Sequence, residues 1–318
     1  MTNRREVARQ LESEAGDIDR LLEKPLTQWR LALRRFRGQR SGMIGLSIIV
    51  FLVMVALLAP ILAPYGPAEI LIGKEDVSRY DDPCVHLFGC PDDRPQHIMG
   101  IDGNVRDEFS RVIYGSRVSL TLGFFTVTLA LLVGSALGAL AGYLGGWLDN
   151  IIMRIMDVIL GFPALLLAIA IVAVLGRGLQ NALLAIAIVT MPGYARVMRA
   201  QVLTIKESDF VAASRALGAS ARQVLLRRII PNAMTPLVVL ATLGVATAIL
   251  EAAGLSFLGL GAQPPTAEWG SMLASERNQV FTAPHLVFFP GLAIMITVLG
   301  FNLMGDGVRD ALDPTLHR

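Results

Sequence analysis

DFVAASRALGASARQVLLRRIIPN, residues 209–232, decides how this chain is read. The stretch is polar and basic, with Arg215, Arg222, Arg227 and Arg228, yet it lies between two long apolar runs, residues 182–197 and 236–249. A segment this charged cannot stay in lipid, so it must sit in water between two membrane crossings. Its residues predict two short helices broken at Gly218. Ala212, Ala213, Ala216 and Leu217 are good helix formers. Gly218 suits the position just past a helix end, where a left-handed residue closes the last turn. Ser220 then caps a second helix over residues 221–229, and Pro231 is expected to stop it. The product is a compact knob suited to a cleft in a partner.

The whole composition agrees with membrane crossings on either side. The chain has 318 residues, 53% hydrophobic and 17% charged, with a mean hydropathy of +0.56. These values describe a polytopic membrane protein and exclude an ordinary soluble one. The three lysines are Lys24, Lys74 and Lys206, and none stands in a G-x-x-x-x-G-K-[ST] loop, so ATP binding by that motif is excluded. The H-E-x-x-H, G-x-S-x-G and C-x-x-C patterns are also absent. His86, His97, His285 and His317 are scattered, and no metal site is expected. The first forty residues are rich in arginine and lack an apolar core, so no removable signal peptide is expected.

Taken in order, residues 2–40 carry ten Lys and Arg, with Trp29, Leu33 and Phe36 spaced to share a helix face. They read as a basic helix lying on the membrane surface, not as a nucleic-acid arm, because an apolar run follows at once. Six spans are expected: 43–63, 118–144, 154–175 with a kink at Pro163, 179–198, 235–258 and 285–304. Gly134, Gly138, Gly142 and Gly146 recur every fourth residue and predict close approach of a neighbouring helix. The polar stretch 64–117 is too long for a simple connector and is expected to carry structure of its own. Placing both termini in the cytoplasm puts nineteen Lys and Arg inside against eight outside, so the 209–232 knob is expected on the cytoplasmic side. Cys84 and Cys90 then face the oxidising side, and five intervening residues with Gly89, Pro83 and Pro91 permit a disulfide-closed turn. Trp269 is expected as an interface anchor. Glu251, inside an apolar run, must face a pore, water or another helix, and with Ser256 it is a candidate translocation-path residue.

The knob resembles the coupling loop of ABC-importer permeases, whose pattern is E-A-A, three residues, G, nine residues, I-x-L-P. Ala212, Ala213 and Ser214 stand at E-A-A, Gly218 at the glycine and Pro231 at the proline; Ala212, Arg228 and Ile230 depart from the pattern. Other stretches resemble the permeases of dipeptide, oligopeptide and nickel importers. They are Gly100-Ile101-Asp102 with Arg106-Asp107-Glu108-Phe109-Ser110-Arg111, Arg154-Ile155-Met156-Asp157-Val158 with Phe162-Pro163, residues 255–261 with Trp269-Gly270, and Gly305-Asp306-Gly307 with Arg309-Asp310. The resemblance spans roughly residues 40–316.

That resemblance implies an all-helical, six-span, type I ABC-importer-like permease with an N-terminal extension and a long outer loop between the first two spans. Its parts would be a basic tail (1–42), a first span and outer loop (43–117), a permease core (118–306) containing the coupling loop (199–232), and a short tail (307–318). It implies a homologous second permease, two cytoplasmic ABC ATPases that bind ATP and Mg, an extracytoplasmic substrate-binding protein and a prokaryotic inner membrane. The chain itself would hold no cofactor and catalyse no reaction. Ala212, Ala213, Ser214, Leu217, Gly218, Ala219, Ser220, Arg222 and Pro231 would contact an ATPase. Peptide is the expected cargo and nickel or a metal chelate the alternative. An ion-coupled secondary transporter would need a relay of intramembrane charges and preferably an internal repeat, for which Glu251 alone is thin support.

Overall fold

A computed structural model of the chain describes residues 28–312. Among these residues every regular element is a helix; three isolated β-bridges sit in the long loop. The helices are α1 (Gln28–Gly38), α2 (Arg40–Leu57), α3 (Ala59–Leu62), α4 (Glu108–Leu144), α5 (Gly146–Leu160), α6 (Ala164–Leu175) and α7 (Leu179–Ile205). They continue as α8 (Asp209–Ala216), α9 (Ala221–Val224), α10 (Ile230–Phe257), α11 (Trp269–Glu276) and α12 (His285–Leu312).

Helices α2, α4, α7, α10 and α12 are each long and apolar enough to cross a bilayer. The third expected span, 154–175, is a broken pair: α5 and α6 meet at 97°, a far sharper bend than the kink expected at Pro163. Pro163 supplies no N–H and disfavours helix at the residue before it, so the chain turns there and α6 starts afresh. A bidentate pair of bonds from Arg199 to Asp149 (both 2.6 Å) and one bond from Arg196 to Asp157 (2.6 Å) tie α5 to α7.

Helix α4 begins ten residues before the expected apolar span, because Asp107 caps it by accepting the Ser110 N–H at 2.7 Å. It packs along α7 through the glycine stripe. A side chain at Gly134 would meet the Met191 carbonyl at 2.6 Å, one at Gly138 would strike the Ala195 carbonyl, and one at Gly142 would meet the Arg199 carbonyl at 2.9 Å. The fourth expected member, Gly146, is not on this face: it has φ +62° and opens α5 after the break. Helices α2 and α12 pair in the same way, Gly45 against the Gly300 carbonyl and Gly42 against Gly307.

The interfacial-helix expectation falls partly outside the described residues. Within them Leu33 is exposed and Phe36 lies over Gly42 and Gly307. Trp269 is not an interface anchor. It is 1% exposed, its indole N–H donates to the Val112 carbonyl at 3.0 Å, and its ring covers Gly115. A buried carboxylate at Glu268 caps α11 through the N–H groups of Gly270 (3.0 Å) and Ser271 (2.8 Å), which fixes the tryptophan's direction.

Candidate functional site

The expected knob forms between α7 and α10 on local backbone rules. Helix α8 ends at Ala216 with Leu217 as its C-cap, and Gly218 follows at φ +85°. The Gly218 N–H bonds to the Arg215 carbonyl at 2.9 Å and the Ala219 N–H to the Ser214 carbonyl at 3.1 Å. This pair of bonds is a Schellman motif, which needs a residue at positive φ in that place. Ser220 then accepts the Gln223 N–H at 3.4 Å and caps α9.

Pro231 does not stop that second helix. Residues 225–229 form a π-turn, the Ile230 N–H reaching back five residues to Leu225, and α10 continues directly from it. A proline in a regular helix removes one N–H and strikes the carbonyl four residues earlier. The wider turn moves that carbonyl aside, and the Asn232 amide donates to the Arg228 carbonyl at 2.6 Å. The knob is therefore rigidly continuous with a membrane-crossing helix. This feature was invisible to a reading in which proline ends helices.

Val211, Val224 and Ile229 are fully buried and root the knob in the helix bundle. The presented surface is the remainder. Ala212, Ala213, Leu217, Gly218, Ser220, Arg222 and Pro231 are exposed, and Ser214 and Ala219 are half-buried. Leu217, at 89% exposure, is the tip. Beside it a concavity of about 450 Å³ is edged by Ser214, Gly218, Gln223, Arg227 and Arg228. The knob thus presents a projecting leucine beside a basic hollow.

The candidate path residues lie elsewhere. Glu251 is half-buried on α10, and no hydrogen bond among the described residues joins it. Ser256 is 1% exposed and its hydroxyl accepts the Ala262 N–H at 3.2 Å, packing the turn through Gly259 and Gly261.

A second constellation escaped the sequence reading as a site. In the long loop, residues 63–107, the carboxylate of Asp102 accepts from Arg106 Nε (2.7 Å) and from the backbone N–H groups of Asn104 and Arg106 (both 2.9 Å). Arg111 reaches Asp102 at 3.5 Å and donates to the Pro67 carbonyl at 2.6 Å. Asp102, Arg106 and Arg111 are all buried. Beside them His97 lies between Asp107 (2.8 Å) and Glu75 (3.1 Å), and Tyr65 donates to Glu75 at 2.7 Å. Burial by itself would lower the His97 pKa, but the bond and charge of Asp107, with those of Glu75, outweigh it and hold the pKa above its ordinary value. Cys84 and Cys90 pair across a turn in the same loop, with Cα atoms 5.4 Å apart. The signal in the sequence was present: five charged residues from Asp102 to Arg111 beside an apolar span, too costly to bury unless they pair.

Comparison with known proteins agrees with this architecture. Residues 134–318 match the family described as binding-protein-dependent transport system inner membrane component, and residues 27–83 match the N-terminal transmembrane domain of oligopeptide transport permease C. The chain is 46% identical over 291 residues to a dipeptide transport system permease protein of Alkalihalophilus pseudofirmus, covering 92% of this chain and 91% of that one. It is 45% identical over 290 residues to a glutathione transport system permease protein of Escherichia coli, covering 91% of each. Among solved structures, an inward-facing form of the MetNI methionine ABC transporter superposes with a TM-score of 0.52 at 21% identity, covering 63% of this chain and 96% of that one. At that identity the likeness concerns the fold. The type I importer-like architecture and the close relatives together place this multi-pass membrane protein in the binding-protein-dependent transport system inner membrane component family, as an ABC-importer permease.

Proposed function

We propose that this chain carries peptides across a prokaryotic inner membrane as one of two homologous permeases driven by two cytoplasmic ABC ATPases. The observation that supports the coupling role is the knob: an exposed, sequence-defined plug whose second helix runs without interruption into α10. Docking of Leu217 and its basic hollow on an ATPase would pass ATPase closure to a membrane-crossing helix as rigid-body motion. ATP and Mg would be held by those partners, and this chain would contribute motion, not chemistry.

Peptide is favoured as cargo because the close relatives carry dipeptide and glutathione transport names, and nickel is not favoured. Both termini and the knob lie in the cytoplasm on the nineteen-to-eight charge bias. The long loop with its charged cluster and its disulfide then faces the extracytoplasmic substrate-binding protein. Glu251 is assigned to the translocation path, where its carboxylate would meet the peptide's amino end. The 1–42, 43–117, 118–306 and 307–318 divisions serve as tail, outer platform, core and tail.

Reconstitution tests this reading. The chain is co-purified with its second permease and ATPases in proteoliposomes, and peptide uptake is followed with and without ATP. Uptake that requires ATP and the binding protein supports the proposal. Uptake by the permease pair alone, driven by an ion gradient, would replace it with a secondary transporter.

A further inference from the structure

The glycine stripe that draws α4 and α7 together covers only part of their length. Gly134, Gly138 and Gly142 hold the two backbones in contact against residues 191–202. Toward the long-loop side the α4 and α7 positions that line the space between them are larger, Leu122 on α4 and Leu179 and Leu183 on α7. A groove of about 260 Å³ lies there. Below its mouth the lining is apolar. The Thr121 hydroxyl donates to the Arg117 carbonyl of its own helix, so this side chain presents its methyl group. At the mouth stand Arg117 and Gln180, both exposed. No ion pair among the described residues involves Arg117.

The groove's level in the membrane follows from the chain. Arg117 is the last charged residue before the apolar run that begins at Val118, and Leu179 follows the polar Gly176-Arg177-Gly178 turn. Charge at the mouth therefore lies at headgroup depth and apolar lining at acyl depth. Exposed Phe124 and Phe125 continue the apolar surface along α4.

We propose that this groove holds one glycerophospholipid of the leaflet on the long-loop side, its phosphate on Arg117, its glycerol ester near Gln180 and an acyl chain along Leu122 and Leu183. A guanidinium matches phosphate by paired N–H donors, which a protein helix of apolar side chains would leave unanswered. The bound lipid fills the groove beyond the glycine stripe. The site depends on the α4–α7 geometry alone, so it stands whether or not the cargo is a peptide.

The test uses the assembled importer with its partner subunits, exchanged into detergent with phosphatidylglycerol and weighed by native mass spectrometry. The wild type is expected to retain one phosphatidylglycerol that Arg117→Ala holds about tenfold more weakly, as loss of one charge-assisted bond implies. Leu183→Trp, which fills the groove and leaves the charge, is expected to displace the same lipid. Arg177→Ala, outside the groove, is expected to keep it, and diacylglycerol of the same chains, which lacks the phosphate, is expected to bind the wild type about tenfold more weakly than phosphatidylglycerol does. Equal retention by the wild type, Arg117→Ala and Leu183→Trp overturns the proposal. So does an equal loss in Arg177→Ala, which would mean a diffuse basic surface. A photo-crosslinker at position 183 that captures the second permease instead of lipid also overturns it, by making the groove a subunit interface.

Discussion

The knob at 209–232 and the long loop at 63–107 lie at opposite ends of neighbouring spans and are held by opposite means. The knob's shape comes from bonds spanning three to five residues: the two backbone bonds around Gly218, the Ser220 cap and the π-turn. Its three buried anchors only seat it. The long loop has one short 3-10 turn and otherwise no helix over some forty residues, and its shape comes from contacts far apart in sequence. Tyr65 meets Ser110, Arg111 meets Pro67, and Gly103 meets Glu276. A part proposed to dock and move is built locally, so it can shift as a unit. A platform without regular structure needs a buried ionic frame to have one conformation at all.

Breaking the frame is the largest expected effect. Asp102→Ala leaves Arg106 and Arg111 buried without their carboxylate, which costs about 3–5 kcal/mol. Hydrogen exchange across residues 63–107 should accelerate accordingly while the knob's amides keep their protection. Unchanged exchange in the loop would show that the frame is not what orders it.

The disulfide sharpens the same contrast at smaller scale. It closes a loop of only six positions, so replacing Cys84 and Cys90 with serine should cost about 2 kcal/mol, confined to the turn around Gly89. Membrane insertion and subunit assembly should be retained. Alkylation of both thiols in the non-reduced protein, read by mass spectrometry, would remove the bond from the account.

In the knob, Gly218 has open space where a side chain would begin, so the cost of substitution is backbone conformation alone. Gly218→Val should cost about 1–2 kcal/mol locally and uncouple ATP hydrolysis from uptake, whereas Gly218→Asn, which tolerates positive φ, should retain coupling. Normal transport by the valine variant would mean that the turn does not transmit motion.

The smallest expected effect is titration of His97. Its folded pKa is raised, so its contribution to the loop is fully present below the unfolded value and is lost as pH rises through the folded one. Limited proteolysis of the long loop should therefore speed up toward alkaline pH, with the knob indifferent, and His97→Gln should flatten that dependence. A loop that loosens toward acid instead would reverse the assignment of charge to this histidine.

The sequence by itself determined the helical class, the span positions, the charge bias and the knob's turn at Gly218, because each rests on periodicity, hydropathy or rules spanning a few residues. It also carried the family resemblance through motifs in order along the chain. It misplaced what depends on distant partners. Trp269 looked like an interface anchor because an indole near a span end usually is one, but Gly115, 154 positions away, leaves a slot that buries it. Pro231 looked like a stop because the π-turn that admits it is a property of the continuous 221–257 helical run. Asp102, Arg106 and Arg111 were legible only as a family motif, since only the folded loop brings them together out of water, and pairing at short range decides whether a buried charge can be tolerated.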